Sequence, residues 1–242
     1  MSSSSLIAVI YHNKLPLFEF STSLSLSCSH QTQRFFVGTK YNNFKTMTHI
    51  SIVSSSVRNG RNSHRVALYL QHYIKENKLA ESEIIDLRDY KFPVFDERLK
   101  LQKDPTKMMI QFAEKIKSSD GVIIVTPEYN GSIPASLKNV IDLLYDEWHH
   151  KPIAISTVSS GLFGGSQALV TLLFVLWKMH AWTVPATLPI ANVAESFDKE
   201  GVAADQDVMN KLTSIFMHEL LWCIEANKRM TESPMLTNTL QK

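Results

Sequence analysis

Residues 121–126, with the sequence Gly-Val-Ile-Ile-Val-Thr, decide the fold that we predict. The run is continuously apolar instead of alternating, which indicates a strand buried on both faces of a parallel sheet. On either side of it, in residues 109–116 and 137–144, apolar residues recur at positions i, i+3, i+4 and i+7. This spacing predicts helices that pack one face against the sheet. The middle of the chain is therefore predicted to be a strand between two such helices.

The same alternation of strand and helix continues toward both ends of the chain. Further strands are predicted at residues 50–54, 83–87, 151–156 and 182–184. The remaining helices are predicted from the apolar positions Val66, Leu70 and Ile74, from residues 165–180, and from Val208, Leu212, Ile215 and Phe216. Right-handed crossovers then favour an α/β fold with a three-layer sandwich around a five-stranded parallel sheet. The flavodoxin-like strand order 2-1-3-4-5 is one of the two common outcomes, and it is the order that we predict.

Residues 1–46 form an N-terminal extension, distinct from the domain that we place at residues 47–242. The extension is rich in serine and has one acidic residue and four lysine or arginine residues. This composition is typical of an organelle transit peptide, although Arg34 is its one arginine. Alternatively, translation begins at Met47 and the upstream residues are not native. We expect the extension to be disordered or not native, with organelle import only if it is translated.

Composition excludes several classes of protein. With 242 residues, of which 44% are hydrophobic, the chain can bury a substantial core and is too apolar for a disordered one. A net charge of +2 gives no reason to expect nucleic acid or a membrane surface as a partner, and no apolar run reaches the length of a membrane span. The two cysteines, Cys28 and Cys223, lack metal-ligand spacing, so we expect no metal site and a reducing, cytoplasmic location.

Three unusual loops follow strands one, three and four, at the edge where doubly wound sheets bind ligands. The first, residues 54–63, reads Ser-Ser-Ser-Val-Arg-Asn-Gly-Arg-Asn-Ser and leads directly into a helix. Its hydroxyls, backbone N–H groups, helix N-terminus and two guanidinium groups suit a phosphate dianion. It matches neither the Walker motif nor G-x-G-x-x-G, which argues against an ATPase and a standard dinucleotide fold. A polar loop with a helix cap and no ligand is the alternative interpretation.

The other two loops favour a flat ligand. Residues 126–134, Thr-Pro-Glu-Tyr-Asn-Gly-Ser-Ile-Pro, form a rigid turn that presents backbone groups and an aromatic side chain together. Residues 159–165, Ser-Ser-Gly-Leu-Phe-Gly-Gly, contain three glycines, which allow a planar ring to approach the backbone. A phosphate at one end and a planar heterocycle at the other is the shape of FMN.

These loops resemble those of the NADPH-dependent FMN reductases, a flavodoxin-like family that includes quinone, azo-dye and chromate reductases. Residues 126–144, TPEYNGSIPASLKNVIDLL, are very similar to the family's [TS]-P-E-Y-N-x-S-x-P-x-x-L-K-N-x-[IL]-D segment. The resemblance extends from about residue 49 to about residue 194. The N-terminal extension lies outside it.

The resemblance also implies which residues bind FMN. In the first loop the family pattern G-S-x-R falls on Ser55, Ser56, Val57 and Arg58, with Ser55 in place of the usual glycine. It implies that Ser56 and Arg58 contact the phosphate. The family's later serine and asparagine correspond to Arg61 and Ser63, and a guanidinium at Arg61 could bind the phosphate in place of the hydroxyl. The implied neighbours of the flavin ring are Pro127, Glu128, Tyr129, Asn130, Gly131, Ser159, Gly161, Gly164 and Gly165.

The mechanism implied by the resemblance is ping-pong hydride transfer. NAD(P)H reduces FMN at N5 and leaves, and a quinone or a similar acceptor, such as an azo compound, a flavin or a metal oxyanion, takes its place. The cofactor carries the chemistry, so we assign no catalytic residue. Glu128 is either a proton-transfer group or, as we prefer, an acceptor of hydrogen bonds that brace its loop. Tyr129 is expected to shield the ring or the substrate slot.

The family resemblance further implies a homodimer, or a tetramer, in which the partner completes each flavin site. We expect His149 and His150 to have a structural or interface role because further metal ligands are missing. Trp177, His180 and Trp182 are interpreted as an aromatic cluster in the core or in a dimer interface.

Two other functions are compatible with a flavodoxin-like fold. One is a non-enzymatic electron carrier or redox-responsive flavoprotein, although flavodoxins are acidic and their phosphate loop has no arginine. The other is a nucleotide-binding regulator without a redox role.

Overall fold

The five parallel strands predicted from the sequence form one sheet. The computed structural model describes residues 47–233, and its strands are β1 (His49–Ser54), β2 (Glu81–Asp86), β3 (Gly121–Pro127), β4 (Pro152–Val158) and β5 (Trp182–Thr187). They lie in the order β2-β1-β3-β4-β5, and every neighbouring pair is parallel. The predicted strand order is therefore confirmed. The extension predicted at residues 1–46 lies outside the described residues.

Helices cover both faces of this sheet. They are α1 (Ser63–Glu76), α2 (Lys107–Ser118), α3 (Ala135–Leu143), α4 (Ser166–Lys178), the short α5 (Val193–Ser196) and α6 (Gln206–Thr231). Short 3-10 helices lie at Leu99–Leu101 and Asp146–Trp148. The apolar faces of α1 and α6 pack on one side of the sheet, and those of α2, α3 and α4 pack on the other. The three-layer sandwich is thus confirmed as well.

Strand β3 contributes side chains to the hydrophobic cores on both faces of the sheet. Ile123 and Val125 belong to the core under α1 and α6, whereas Val122 and Ile124 belong to the core under α2, α3 and α4. All four side chains are fully buried. Burial on both faces is why this strand has no polar alternation in its sequence.

Each strand differs from its predicted bounds by one to three residues at one end or both, and two of these differences have a clear structural reason. Strand β2 begins at Glu81 instead of residue 83, because Glu81 N donates to the carbonyl oxygen of Thr48 at 2.8 Å. Strand β5 continues through Pro185 to Thr187 instead of ending at residue 184. Strand β5 lies at the edge of the sheet, where a proline that lacks an N–H group is tolerated.

The last helix, α6, is present as predicted, but the apolar residues that predicted it are not its core face. Of these four residues, only Phe216 is buried, whereas Val208 is 54% and Ile215 58% exposed. The buried face is formed by Thr213, Phe216, Met217, Leu220, Cys223 and Ile224. The helix carries two apolar stripes, and the one that includes Phe216 and Leu220 packs into the core under α1. On this side of α6, the hydroxyl of Tyr69 lies 3.0 Å from Thr213 Oγ1 and from Asn210 Oδ1.

Two further findings concern burial and membranes. Cys223 is a free thiol within the core under α6. Within residues 47–233, none of the helices combines the length and the apolar character that a bilayer-spanning helix needs.

Candidate functional site

The loops after β1, β3 and β4 meet in one cleft at the carboxyl edge of the sheet. The cleft lies where the strand order reverses around β1, which is the usual ligand position in such sheets. It has a volume of about 240 Å³. Its lining includes eight of the residues proposed from the sequence: Ser56, Arg58, Arg61, Ser63, Pro127, Glu128, Tyr129 and Ser159. It also includes residues that sequence reasoning did not select: Gly60, Asn62, Val158, Ser160 and Val193.

Two buried hydroxyl groups at this edge lack a hydrogen-bond partner. Ser63 is the first residue of α1 and lines the cleft, and its Oγ has no partner within residues 47–233. Ser55 Oγ is likewise unpartnered in this part of the chain. A buried hydroxyl without a partner destabilises a protein, so such groups normally have a reason to be there. The N-terminus of α1 and the Ser63 hydroxyl together suit an anionic oxygen ligand.

The backbone of Ser55 is held on both sides, even though its hydroxyl is not. Ser55 N donates to the carbonyl oxygen of Val125 at 3.1 Å, and Ser136 Oγ donates to the Ser55 carbonyl oxygen at 2.6 Å. Ser55 occupies the place of the family's glycine, and it lies outside the cleft lining. The loop after β1 is therefore tied to both β3 and α3.

The two arginines of the first loop have different surroundings. Arg58 is exposed, lines the cleft, and has no ion-pair partner among residues 47–233. Arg61 is largely buried, and both of its terminal nitrogens contact the carboxylate of Asp86. Its Nη1 also donates to the carbonyl oxygen of Ser56 at 2.5 Å. Arg58 is thus available to an anionic ligand, whereas the guanidinium of Arg61 is already engaged.

Asp86, at the end of β2, is a residue of this site that sequence reasoning missed. Burial alone would raise the pKa of Asp86, but hydrogen bonds from Arg61 and from the backbone N–H of Arg88 outweigh it, and the pKa lies below the usual value. The signal available in the sequence was its position at the carboxyl end of a predicted strand.

His64 completes the polar group beside Asp86. Its Nδ1 lies 3.0 Å from Ser54 Oγ and 3.7 Å from Asp86 Oδ2. Burial and, secondarily, the nearby charge of Arg61 lower the pKa of His64, although Asp86 opposes this shift. The neutral imidazole is therefore the form that the folded protein favours.

The loop after β3 is a tight turn that carries Tyr129 over the first loop. Tyr129 and Ser132 exchange backbone hydrogen bonds of 2.8 and 3.0 Å around Asn130 and Gly131. Both central residues have positive φ, 51° and 74°, as a type I′ turn requires, which explains the Asn-Gly pair. Neither residue lines the cleft. The Tyr129 hydroxyl lies 2.7 Å from Ser56 Oγ, so the turn connects the two loops.

Glu128 braces its loop, as we preferred over a proton-transfer role. Its Oε2 accepts hydrogen bonds from the backbone N–H groups of Gln167 at 3.0 Å and Ala168 at 3.3 Å. These are free N–H groups in the first turn of α4, where a carboxylate is favourable. Glu128 N also donates to the carbonyl oxygen of Val158 at 3.2 Å. The loop after β3 is thereby joined to β4 and α4.

The glycines of the third loop have a structural explanation. Gly164 and Gly165 have φ values of 58° and 80° and are buried outside the cleft lining. A Cβ at Gly164 would meet Pro189 Cβ at 2.9 Å, and one at Gly165 would meet Thr157 Cβ at 3.0 Å. Gly161 is exposed, with open space where a Cβ would be. Gly164 and Gly165 are therefore required by packing within the protein itself, independently of any ligand.

The histidine and aromatic residues proposed elsewhere do not form a second site. The ring of His149 packs near Tyr145, His150 and His180, and no three His, Cys, Asp or Glu side chains in residues 47–233 are grouped to hold a metal ion. The expected cluster of Trp177, His180 and Trp182 is not formed. Trp177 pairs with Phe174 on the surface, and Trp182 pairs with Trp222. Trp177 lies in α4, His180 in the turn after it and Trp182 in β5, and each has different ring neighbours.

Comparison with known proteins identifies relatives across most of the chain. A family model described as NADPH-dependent FMN reductase matches residues 48–195. An NAD(P)H-dependent FMN reductase of a Nectria species is 29% identical over 203 residues, which cover 78% of this chain and 99% of the relative. A quinone reductase of Pseudomonas putida is 34% identical over 164 residues, or 65% of this chain and 85% of the relative.

A solved structure supports the same relationship. The flavoenzyme NAD(P)H:(acceptor) oxidoreductase FerB from Paracoccus denitrificans superposes with a TM-score of 0.61 at 25% sequence identity. The match covers 75% of this chain and 99% of FerB. The similarity therefore includes the fold as well as the sequence.

Proposed function

We propose that this chain, which belongs to the NADPH-dependent FMN reductase family, passes hydride from NAD(P)H through bound FMN to a small electron acceptor. It is an oxidoreductase with FMN as cofactor and NAD(P)H as co-substrate. The observation that carries the proposal is a pair of polar groups in the cleft that have no partner within residues 47–233. They are the hydroxyl of Ser63, at the N-terminus of α1, and the guanidinium of Arg58, which has no ion-pair partner there.

These groups fit the phosphate end of FMN. Ser63 would donate its hydroxyl, α1 would direct its free N–H groups toward the anion, and Arg58 would supply the positive charge. Ser56, whose hydroxyl already lies beside Tyr129, would complete the set. A phosphate would thereby satisfy a buried hydroxyl that the described part of the chain leaves without a partner.

The protein's contribution to the reaction is binding and orientation. When bound, FMN supplies reversible hydride chemistry, and NAD(P)H and the acceptor would use its open face in turn, which is a ping-pong scheme. Glu128 Oε2 accepts two hydrogen bonds from backbone N–H groups of α4, and Glu128 would thereby hold the loop of Tyr129 in place. Tyr129 would shield one edge of the ligand. No side chain is assigned to proton transfer.

Quinones are the acceptors that we favour, with azo compounds, flavins and metal oxyanions as alternatives. The quinone reductase of Pseudomonas putida supports this choice, because it is 34% identical to this chain over 164 residues. A screen of purified enzyme with NADPH and each acceptor class would rank them by kcat/KM.

A homodimer would complete the site. The cleft of about 240 Å³ is smaller than the roughly 300–1,000 Å³ of complete small-molecule pockets, so it can enclose only part of FMN. An exposed apolar surface begins beside it at Phe163, which is 85% exposed, and continues along α4 through Val170, Phe174 and Trp177. Exposed patches of this kind mark association sites. Trp177→Asp should shift the protein toward monomer in analytical ultracentrifugation, and a tetramer would be detected in the same measurement.

We also propose a cytoplasmic location. The absence of cysteine patterns typical of an oxidising compartment supports it. Fluorescent fusions at the C-terminus of the whole chain and of a chain that starts at Met47 would test it. Different locations of the two would identify residues 1–46 as a targeting segment, and the same cytoplasmic location would favour Met47 as the start.

The decisive experiment is an absorbance spectrum of the purified protein followed by anaerobic addition of NADPH. We expect a yellow protein, release of FMN on denaturation, and bleaching of the flavin band within seconds. A yellow protein that does not bleach would instead be an electron carrier. A colourless protein that stays colourless when FMN is added would contradict the assignment and favour a nucleotide-binding regulator.

A further inference from the structure

We propose that Asp86 is a positioning residue for the loop that binds the cofactor phosphate, and that it acts through Arg61, which braces this loop instead of contacting the phosphate. The inference rests on the proposed function, because it concerns how the phosphate of FMN is held. It assigns a role to Asp86 and replaces the role that the family resemblance implied for Arg61.

The geometry fixes Arg61 on two sides. Its terminal nitrogens contact both carboxylate oxygens of Asp86, with Nη1 at 2.5 Å from Oδ1, and the same Nη1 donates to the carbonyl oxygen of Ser56. The side chains of Arg61 and Asp86 are only 9% and 13% exposed. A planar guanidinium with three acceptors has a fixed orientation. The end of β2 is thereby tied to the backbone of Ser56 in the loop after β1.

Opening this pair for a phosphate would be unfavourable. If Arg61 left, Asp86 would be a largely buried carboxylate without its charge partner, which is strongly destabilising. The phosphate dianion would then also lie near an uncompensated negative charge. Arg58 avoids both penalties, because it is exposed and has no ion-pair partner in residues 47–233. We therefore divide the roles: Arg58 binds the phosphate, and Arg61 and Asp86 hold the loop.

The loop has a second side-chain tie on the β2 side, an exposed hydrogen bond of 3.1 Å from Arg88 Nη2 to Asn59 Oδ1. Other ties lead to other elements: Ser55 is bonded to Val125 of β3 and to Ser136 of α3. Ser56 Oγ faces Tyr129 of the loop after β3. Loss of the Arg61 bridge would remove the buried tie to β2 while leaving these other contacts in place. The expected consequence is a weaker phosphate site in a folded protein.

Titration of each apoprotein with FMN and with riboflavin, which lacks the phosphate, tests the proposal. The variants are Asp86→Asn, Arg61→Lys, Arg61→Met and the double variant Asp86→Asn/Arg61→Met. We expect each single change to weaken FMN binding about tenfold, the effect of one lost charge-assisted hydrogen bond, and to change riboflavin binding less than about threefold. The double variant should bind no more weakly than the weaker single variant, because the two residues act as one unit.

The sign of the Asp86→Asn effect separates the two roles of Arg61. If Arg61 held the phosphate itself, Asp86→Asn would free the guanidinium, and FMN binding would be unchanged or tighter. That result would overturn the proposal. Full FMN affinity in Arg61→Lys would also overturn it, because lysine keeps the charge but cannot bridge three acceptors. A loss of riboflavin affinity as large as the loss of FMN affinity would also overturn the proposal. So would losses of FMN affinity that add up in the double variant.

Asp120→Asn is the matched control. It removes the partner of Lys228, 2.8 Å away, at the opposite edge of the sheet, and should leave both flavin affinities unchanged. Thermal melting identifies any variant that fails to fold. If another variant does not fold, the flavin titrations of Arg61→Lys, which keeps the charge and the side-chain length, test the proposal. A wild-type protein that binds neither flavin would overturn the proposed function itself. A wild-type protein that binds FMN, with variants that bind it equally well, would overturn this inference alone.

Discussion

Polar groups at the two edges of the sheet differ in whether they have hydrogen-bond partners. At the amino edge, Asp120 pairs with Lys228 and accepts the N–H of His49, both at 2.8 Å. Lys151 Nζ donates to the carbonyl oxygens of Lys117 and Ser119, at the end of α2. At the carboxyl edge, by contrast, the hydroxyls of Ser55 and Ser63 have no partner within residues 47–233.

This difference distinguishes polar groups that stabilise the fold from polar groups that are available to bind a ligand. The groups of the amino edge satisfy one another, so their removal is expected to cost stability. The unsatisfied hydroxyls of the carboxyl edge do not stabilise the apoprotein, because burial removes them from water without a replacement hydrogen bond, and they are available to a ligand. The Arg61–Asp86 pair combines both roles, because it is satisfied within the protein but holds the ligand loop. Substitutions at the two edges should therefore change different measurements.

The largest effect is expected for Arg58→Ala at the carboxyl edge. It should weaken FMN binding by about 1–3 kcal/mol, the value of a charge-assisted hydrogen bond left unmade. Apoprotein stability should change by less than about 0.5 kcal/mol, because the side chain is exposed. Flavin fluorescence titration measures the first quantity and urea denaturation the second. Arg229→Ala, on α6, is the control, and an FMN affinity equal to wild type in Arg58→Ala would refute the assignment.

Lys151→Met should give the opposite result at the amino edge. Two carbonyl oxygens near the C-terminus of α2 lose their donor, and we expect a loss of about 1–2 kcal/mol in the free energy of unfolding. FMN affinity should not change, because the residue lies at the other edge of the sheet. Urea denaturation and flavin titration report the two quantities. The exposed Lys103 provides the control Lys103→Met, and a weaker FMN affinity in Lys151→Met would count against the separation of the two edges.

Ser63→Ala compares an unsatisfied hydroxyl with a satisfied one. It should weaken FMN binding by about 1 kcal/mol while leaving the apoprotein as stable as wild type or slightly more stable, because no existing hydrogen bond is lost. Ser156→Ala is the matched control, since Ser156 Oγ donates to the carbonyl oxygen of Leu188 at 2.8 Å. That variant should be less stable by about 1 kcal/mol. A loss of stability in Ser63→Ala would mean that its hydroxyl has a partner in the apoprotein.

The smallest effect is expected for His64→Gln and concerns pH. Burial and the charge of Arg61 hold the pKa of His64 below its ordinary value of 6.5, so the unfolded chain takes up a proton first as the pH falls. Wild-type stability should therefore decrease below about pH 6.5 until His64 of the folded protein also titrates. His64→Gln should flatten this part of the stability curve. Thermal melts of the apoprotein between about pH 5 and 8 measure it.

His72→Gln provides the control for this experiment. His72 lies on the same helix and is exposed. We expect its substitution to leave the wild-type pH dependence in place. An unchanged curve in His64→Gln would indicate that other groups cause the decrease.

The strands and their order were predictable because local pattern and chain connectivity decide them. The apolar run at Gly121–Pro127 identifies a doubly buried strand, and right-handed crossovers leave few strand orders. The core face of α6 was not predictable, because residues 208–216 also have helical apolar spacing. The face that is buried depends on packing against α1 and the sheet, which are distant in the chain: Tyr69, for example, contacts Asn210 and Thr213, 141 and 144 residues later.

The candidate site was predictable in its loops but not in the partners of its side chains. The resemblance of residues 126–144 and the position of three loops at one sheet edge located the cleft. Glu128 was expected to brace its loop, and the N–H groups that it binds lie on α4, 39 and 40 residues later. Arg61 was assigned to the phosphate because its guanidinium replaces a hydroxyl in the family's loop pattern. Its partner Asp86 lies 25 residues away, at the end of β2.

Amino-acid order alone is enough to place strands and helices in this protein, and to indicate which sheet edge would carry chemistry, because periodicity and turn residues act over a few positions. Folding then determines which polar groups find a partner. Among the described residues, 47–233, Arg61 meets a carboxylate, Arg58 does not, and the buried hydroxyl of Ser63 has no hydrogen-bond partner. These outcomes depend on contacts between elements distant in the chain, and they distinguish the residues that hold the loops from those left to bind a ligand.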